Sequence, residues 1–72
     1  MDGYEKLANG IILLAVKDYR SALRKLKRNP RSQTANDTVQ EVERFFRSDW
    51  YKSLTEVDGE MLIRKLREEA EQ

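Results

Sequence analysis

Five basic residues in the first half of the chain have a spacing suited to binding an anion. On a helical wheel of about 100° per residue they form one stripe. Its members are Lys17, Arg20, Arg24, Lys27 and Arg28. Residues 17–31 contain only one acid, Asp18. Such a stripe is suited to a nucleic-acid backbone, a nucleotide phosphate or an acidic protein surface.

A solvated surface is the alternative interpretation of this basic stripe. Residues 32–72 carry ten acids against six bases, so the stripe could simply balance the acidic second half of the chain. The acids at the end of the last helix could form an acidic tail, but each lies four residues after a base, which predicts paired charges on a solvated helix face instead. These pairs are Arg64 with Glu68, Lys65 with Glu69, and Arg67 with Glu71.

A second candidate is the aromatic cluster "FFRSDWY", which holds four of the six aromatic residues within positions 45–51. Phe46 continues an apolar stripe at helical spacing, and we expect Phe45 and Phe46 to pack in the core. Trp50 and Tyr51 have two interpretations. They could fill the core, or they could contact a partner, because amphipathic aromatic side chains are common anchors of interfaces.

The residue types exclude most catalytic and metal chemistry. The chain has no cysteine and no histidine, which removes thiolate and imidazole nucleophiles, bases and ligands. The stretch "EVDGE" resembles part of a calcium loop, but with Gly59 at the sixth position Leu54 and Lys65 occupy the first and twelfth. We therefore predict no metal, no cofactor and no catalytic residue, and we expect the protein not to be an enzyme.

The hydrophobic spacing predicts an all-α fold, a small bundle of three main helices plus a short helical turn. We expect main helices near residues 3–28, 35–47 and 56–70, with "DWYKSL" as the short turn, in one domain over residues 1–72. Pro30 ends the first helix, whose apolar face extends from Tyr4 to Leu26.

Capping residues mark the predicted helix starts. A capping box pairs a serine or threonine with an acid three residues later. The candidates are Thr34 with Asp37 or Thr38 with Glu41 for the second helix, Ser48 for the short turn, and Thr55 with Asp58 for the last helix.

The run "IILLAV" at residues 11–16 is hydrophobic on all sides of a helix. Ile12 and Val16 can face the core, but Leu13 and Leu14 then point elsewhere. We therefore predict self-association through Leu13 and Leu14, giving a homo-oligomer. The run is far shorter than the roughly 20 residues of a membrane span, so we expect no membrane association and a cytoplasmic protein.

Three segments together cover nearly the whole chain: "YEKLANGIILLAVKDYRSALRKLKRNP", "ERFFRSDWYKSLT" and "VDGEMLIRKLREE". In these segments the chain resembles small, largely uncharacterised helical proteins of prophages and integrative mobile elements of Gram-positive bacteria. The resemblance implies an accessory role in the bacterial host. Mobile-element proteins of this size are often inhibitors that bind a host defence component or sequester a signalling nucleotide.

The expected function is therefore that of a non-enzymatic binding protein. We expect a mobile-element accessory or anti-defence inhibitor that binds a host protein or sequesters an anionic ligand such as a signalling nucleotide. The candidate contacts are the basic stripe, Trp50 and Tyr51. The alternative is a small nucleic-acid-binding or transcription-modulating protein that uses the basic first helix.

Overall fold

The computed structural model describes residues 2–71 and contains four helices. These are α1 (Asp2–Arg28), α2 (Gln33–Phe46), α3 (Asp49–Leu54) and α4 (Gly59–Ala70). The part of the chain described contains no strand, and the predicted all-α fold of three main helices and one short helix is confirmed. The side chain of Tyr4, predicted on the apolar face of the first helix, lies outside the described residues.

The predicted caps of α2 and α4 are wrong, because each of these two helices begins at a different residue. Ser32 caps α2, and its hydroxyl accepts a hydrogen bond from the Ala35 amide at 3.3 Å. Thr34 and Thr38 lie inside the helix, where the Thr38 hydroxyl donates to the Thr34 carbonyl at 3.1 Å. A cap must precede the first turn, so neither threonine can serve as one.

At the other helix starts, Ser48 caps α3 as predicted, with its hydroxyl 3.1 Å from the Tyr51 amide. Asp58 replaces Thr55 as the cap of α4, and its carboxylate accepts from the Glu60 amide at 2.9 Å. Thr55 instead ends α3. Both caps determine which way the following side chains point, because the residue at which a helix begins sets the face on which each later residue lies.

The three main helices run up, down and up. Glu60 at the start of α4 binds Arg47 at the end of α2, and Ala70 at the end of α4 contacts Lys27 near the end of α1. Thus α1 and α4 are parallel and end side by side. The molecule measures 43 × 20 × 18 Å. A helix of this length spans about 40 Å, so α1 extends along the entire long axis.

The core is centred on three rings that are almost completely buried, those of Tyr19, Phe46 and Tyr51. The Phe46 ring packs edge-on against the rings of Tyr19 and Tyr51, with ring centroids 5.8 Å and 5.6 Å apart. The structure thus assigns Tyr51, a candidate partner contact, to the core at 1% exposure. Trp50 is 58% exposed and rests edge-on against Phe45.

Gly59 allows the start of α4 to approach the end of α2. A Cβ atom at this position would lie 2.0 Å from the Phe46 carbonyl oxygen. This contact is with backbone, which cannot move aside as a flexible side chain can. The absence of a side chain at Gly59 is therefore required by packing.

Replacing Gly59 with alanine should destabilise the fold by about 1–3 kcal/mol, because the added methyl group overpacks the α2–α4 contact. Gly10→Ala is the matched control, since a Cβ there would meet nothing within 4 Å. Alanine in an exposed helix interior should instead stabilise by about 0.5–1 kcal/mol. Urea unfolding of dilute protein followed by circular dichroism measures both changes. Equal stabilities of the two variants would contradict the close approach.

Candidate anion-binding groove

The parallel ends of α1 and α4 form a groove of about 420 Å³. Basic side chains of α1 form one wall and residues of α4 form the other. The lining residues are Arg20, Arg24, Lys27 and Arg28 from α1, and Leu66, Glu69 and Ala70 from α4. We call this feature the basic groove. It contains four of the five residues of the predicted basic stripe.

The other predicted contact residues lie elsewhere. Lys17 is exposed on α1 one turn before Arg20 and is not among the residues lining the groove. Trp50 and Tyr51 belong to α3, which follows the opposite end of α2. The stripe and the aromatic cluster therefore do not form one continuous site.

Arg20 is already occupied by a carboxylate from α4. Its Nε atom donates to Glu69 Oε1 at 2.6 Å, and its Nη2 atom donates to Oε2 at 3.1 Å. Both side chains are about half exposed, so this pair contributes no more than about 1 kcal/mol to stability. The predicted pairing of Lys65 with Glu69 is wrong, because the structure pairs Glu69 across helices.

Lys27 also has an intramolecular role. Its Nζ atom donates to the Ala70 carbonyl at 3.3 Å. This carbonyl belongs to the last turn of α4, where backbone acceptors lack partners within the helix and the helix dipole favours positive charge. Lys27 therefore stabilises the end of α4.

Arg24 and Arg28 remain as the two groove arginines without an acidic partner. Both are exposed, and within residues 2–71 neither has a carboxylate oxygen within 4.0 Å. Four residues separate them, which corresponds to about 6 Å along the helix. The groove therefore presents two adjacent guanidinium groups able to bind a ligand.

The walls of the groove are held by Glu43 of α2. Its Oε2 atom accepts from the Tyr19 hydroxyl of α1 at 2.5 Å and from Arg67 Nη2 of α4 at 2.5 Å. The Glu43 side chain is only 13% exposed. One carboxylate thus joins all three main helices, and we call these three residues the Glu43 node.

The electrostatics of the Glu43 node follow from its burial. Burial alone would raise the pKa of Glu43, but hydrogen bonds from Tyr19 and Arg67 outweigh it and lower the pKa. Burial first, and then the bond to Glu43, raise the pKa of Tyr19. The hydrogen bond to Glu43 raises the pKa of Arg67. The carboxylate is therefore ionised while the hydroxyl keeps its proton.

Sequence reasoning missed this node. It paired Arg67 with Glu71, which is wrong, since Arg67 binds Glu43. The available signal was the position of Glu43 three residues before Phe46, beside the core face of α2. An acid at such a position needs a buried donor, but the sequence does not identify which donor.

A second concavity of about 510 Å³ lies at the start of α4 and includes Tyr51 in its lining. The Tyr51 hydroxyl is buried, and no described residue forms a hydrogen bond with it. Burial raises the pKa of Tyr51, and the nearby Asp58 carboxylate adds to this effect. The ion pair between Arg47 and Glu60 borders the same concavity, so opposite charges are mixed here.

Comparisons of the chain with protein-family models, curated proteins and solved structures find no match. The resemblance to mobile-element proteins therefore stays a prediction. Among the described helices none is long and apolar enough to cross a membrane. Residues 2–71 also contain no cluster of three or more acidic, histidine or cysteine side chains placed to bind a metal ion.

Replacing Glu43 with glutamine should lower the free energy of unfolding by about 1–2 kcal/mol at pH 7, because Arg67 loses its charged acceptor. The pKa of Glu43 in the folded protein is lower than its ordinary value of 4.5. The carboxylate therefore stabilises the fold fully at a pH above 4.5, and this stabilisation is lost as the pH falls through the lowered pKa. The gap between parent and variant should therefore shrink towards pH 3.

Urea unfolding across pH 3–7 measures this gap. Glu41→Gln is the control, since Glu41 is exposed on the same helix and has no ion pair among the residues described. A gap for Glu43→Gln that stays constant with pH would show that the node does not depend on the carboxylate charge.

Proposed function

We propose that the protein is a non-enzymatic binding protein that binds an anionic partner at the basic groove. The observation that supports this proposal is the pair Arg24 and Arg28, adjacent on one helix face and without a carboxylate within 4.0 Å among residues 2–71. Guanidinium groups bind carboxylates and phosphates through two parallel hydrogen bonds. Two of them side by side favour a ligand with at least two negative charges.

An acidic protein or a small anionic ligand fits the groove better than duplex DNA. Proteins that bind DNA strongly neutralise about 6–10 phosphates. Here Arg20 and Lys27 already contact α4, and the carboxylate of Glu69 lies within the groove. The net charge of +1 also gives little attraction to a long polyanion. These features disfavour the nucleic-acid alternative.

The resemblance to proteins of prophages and integrative elements supports a biological setting for this binding. In that setting the protein acts in the cytoplasm of the bacterial host as an accessory or anti-defence inhibitor. It inhibits by occupying a host protein, or by sequestering an anionic ligand such as a signalling nucleotide. Trp50, with 58% of its surface exposed, offers a separate apolar contact for a protein partner.

We also propose that the protein forms a homo-oligomer through the exposed leucines of α1. Leu13 and Leu14 are 65% and 61% exposed, and Leu7, which sequence reasoning missed, is 65% exposed. Leu7 and Leu14 are seven residues apart and share one side of the helix. Covering such side chains stabilises an assembly by about 1.5–3 kcal/mol for each leucine that becomes fully buried.

Anion binding should depend on Arg24 and Arg28 specifically. The probes are inorganic tripolyphosphate in calorimetry, and poly-glutamate and a short DNA duplex in fluorescence anisotropy, all at about 0.1 M salt. We expect the double variant Arg24→Gln, Arg28→Gln to weaken binding of tripolyphosphate or poly-glutamate at least about tenfold, because the remaining groove bases contact α4.

The matched control is Arg64→Gln, Lys65→Gln, which also removes two positive charges from exposed positions. It should leave binding within about twofold of the parent, since long-range attraction is screened beyond about 10 Å at 0.1 M salt. Equal losses in the two double variants would attribute binding to net charge and contradict a groove site.

Self-association is tested by sedimentation of the parent and of Leu13→Lys, Leu14→Lys. The parent should be oligomeric at tens of micromolar protein and the variant monomeric, because a lysine ammonium cannot be buried without a partner. Val57→Lys, Met61→Lys is the control, since these apolar residues are exposed away from α1. A monomeric parent would refute the oligomer. If the Val57→Lys, Met61→Lys control dissociates, the interface does not lie at the leucines.

A further inference from the structure

The ion pair between Arg20 and Glu69 shows how a helix presents a carboxylate to this groove. Glu69 belongs to α4, which runs parallel to α1, and its two oxygens meet two nitrogens of the guanidinium at 2.6 and 3.1 Å. Arginine and carboxylate are matched in this two-point geometry. An acid on a neighbouring helix is therefore a ligand that the groove already accepts.

Arg24 and Arg28 continue the row that Arg20 begins. The three arginines follow one another at intervals of four residues, each about 6 Å further along α1. Such a row forms a ridge on the helix surface, and ridges of this kind pack against similar rows on another helix. The last helical residue of α4 is Ala70, so Glu69 is the acid that α4 contributes to this row within the described residues.

The position of the groove disfavours a compact phosphate group. A helix N-terminus favours a phosphate, because its backbone amides point at the ligand. Here α1 and α4 both end beside the groove, and each helix end carries a partial negative charge of about half an electron. Carboxylates spaced along a helix meet one arginine each and avoid concentrating charge at these ends.

The apolar lining of the groove points in the same direction. Ala70 is half-buried and contributes carbon surface at the end of α4, whereas Leu66, which also lines the groove, is only 3% exposed. A phosphate chain gains nothing from this surface, whereas small or apolar side chains of an amphipathic helix can cover it. The groove thus offers basic side chains to the acids of a bound helix and carbon surface to the neighbouring side chains of that helix.

We propose that the basic groove docks an acidic amphipathic α-helix of a partner protein. Two carboxylates four residues apart on that helix bind Arg24 and Arg28, while Arg20 keeps Glu69. This inference rests on the proposed function and specifies its partner as a helical protein segment. The required spacing follows from the arginines, because residues four apart on both helices have the same rise of about 6 Å.

The test uses two labelled helical peptides of about 16 residues with identical composition and charge. One carries two glutamates four residues apart, and the other carries them two residues apart, where they cannot share a helix face. In fluorescence anisotropy with the full chain at about 0.1 M salt, we expect the first peptide to bind at least about tenfold more tightly. The Arg24→Gln, Arg28→Gln variant should abolish this difference, and the Arg64→Gln, Lys65→Gln variant should retain it.

The outcomes separate this inference from the proposed function. Equal affinity for the two peptides, or no measurable binding of the first at about 1 mM, overturns the helix-docking inference. If tripolyphosphate or duplex DNA then still binds through Arg24 and Arg28, the anion site stands and its partner is not a helix. If no probe depends on these two arginines, both proposals fail. Circular dichroism of the variants confirms that each remains folded.

Discussion

The Glu43 carboxylate is the interaction on which the arrangement of the helices depends. Removing a carboxylate from water costs several kcal/mol unless donors replace the lost hydration. Tyr19 and Arg67 supply those donors from two different helices. A helix bundle held only by apolar contacts can slide or rotate, because such contacts are not directional. The Glu43 node is directional, and it fixes α1 and α4 relative to α2.

The basic groove is a consequence of that fixed arrangement. Parallel helices place two C-terminal ends together, and their unpaired carbonyls favour nearby positive charge. Part of the basic stripe is used within the molecule. Lys27 binds a carbonyl at the end of α4, and Arg20 binds the carboxylate of Glu69. A count of charges along α1 therefore overstates what a ligand can use. The groove charges that have no acidic partner among the described residues are those of Arg24 and Arg28.

Local patterns in the sequence predicted the helices, and long-range partners determined the rest. Pro30, Ser48 and the spacing of Phe46 each act on neighbours within one or two turns, so their effects could be inferred. Trp50 and Tyr51 are adjacent and chemically similar, yet one is exposed and the other is buried. The difference depends on the direction in which α3 leaves α2. The partners of Glu43 and Glu69 lie 24 and 49 residues away, where no local pattern extends.

The projecting start of α1 gives one continuous helix two very different local stabilities. Among the described side chains before Val16, only Ala8 is buried, whereas Tyr19, Ala22 and Leu23 are all packed in the core. The first turns therefore rely on backbone hydrogen bonds exposed to water and can open without unfolding the bundle. Any contact that covers Leu7 and Leu14 would order this segment and extend the cooperative unit to the full length of the helix. A partner bound to the Leu7 and Leu14 face would thus make the whole of α1 more rigid without changing the core.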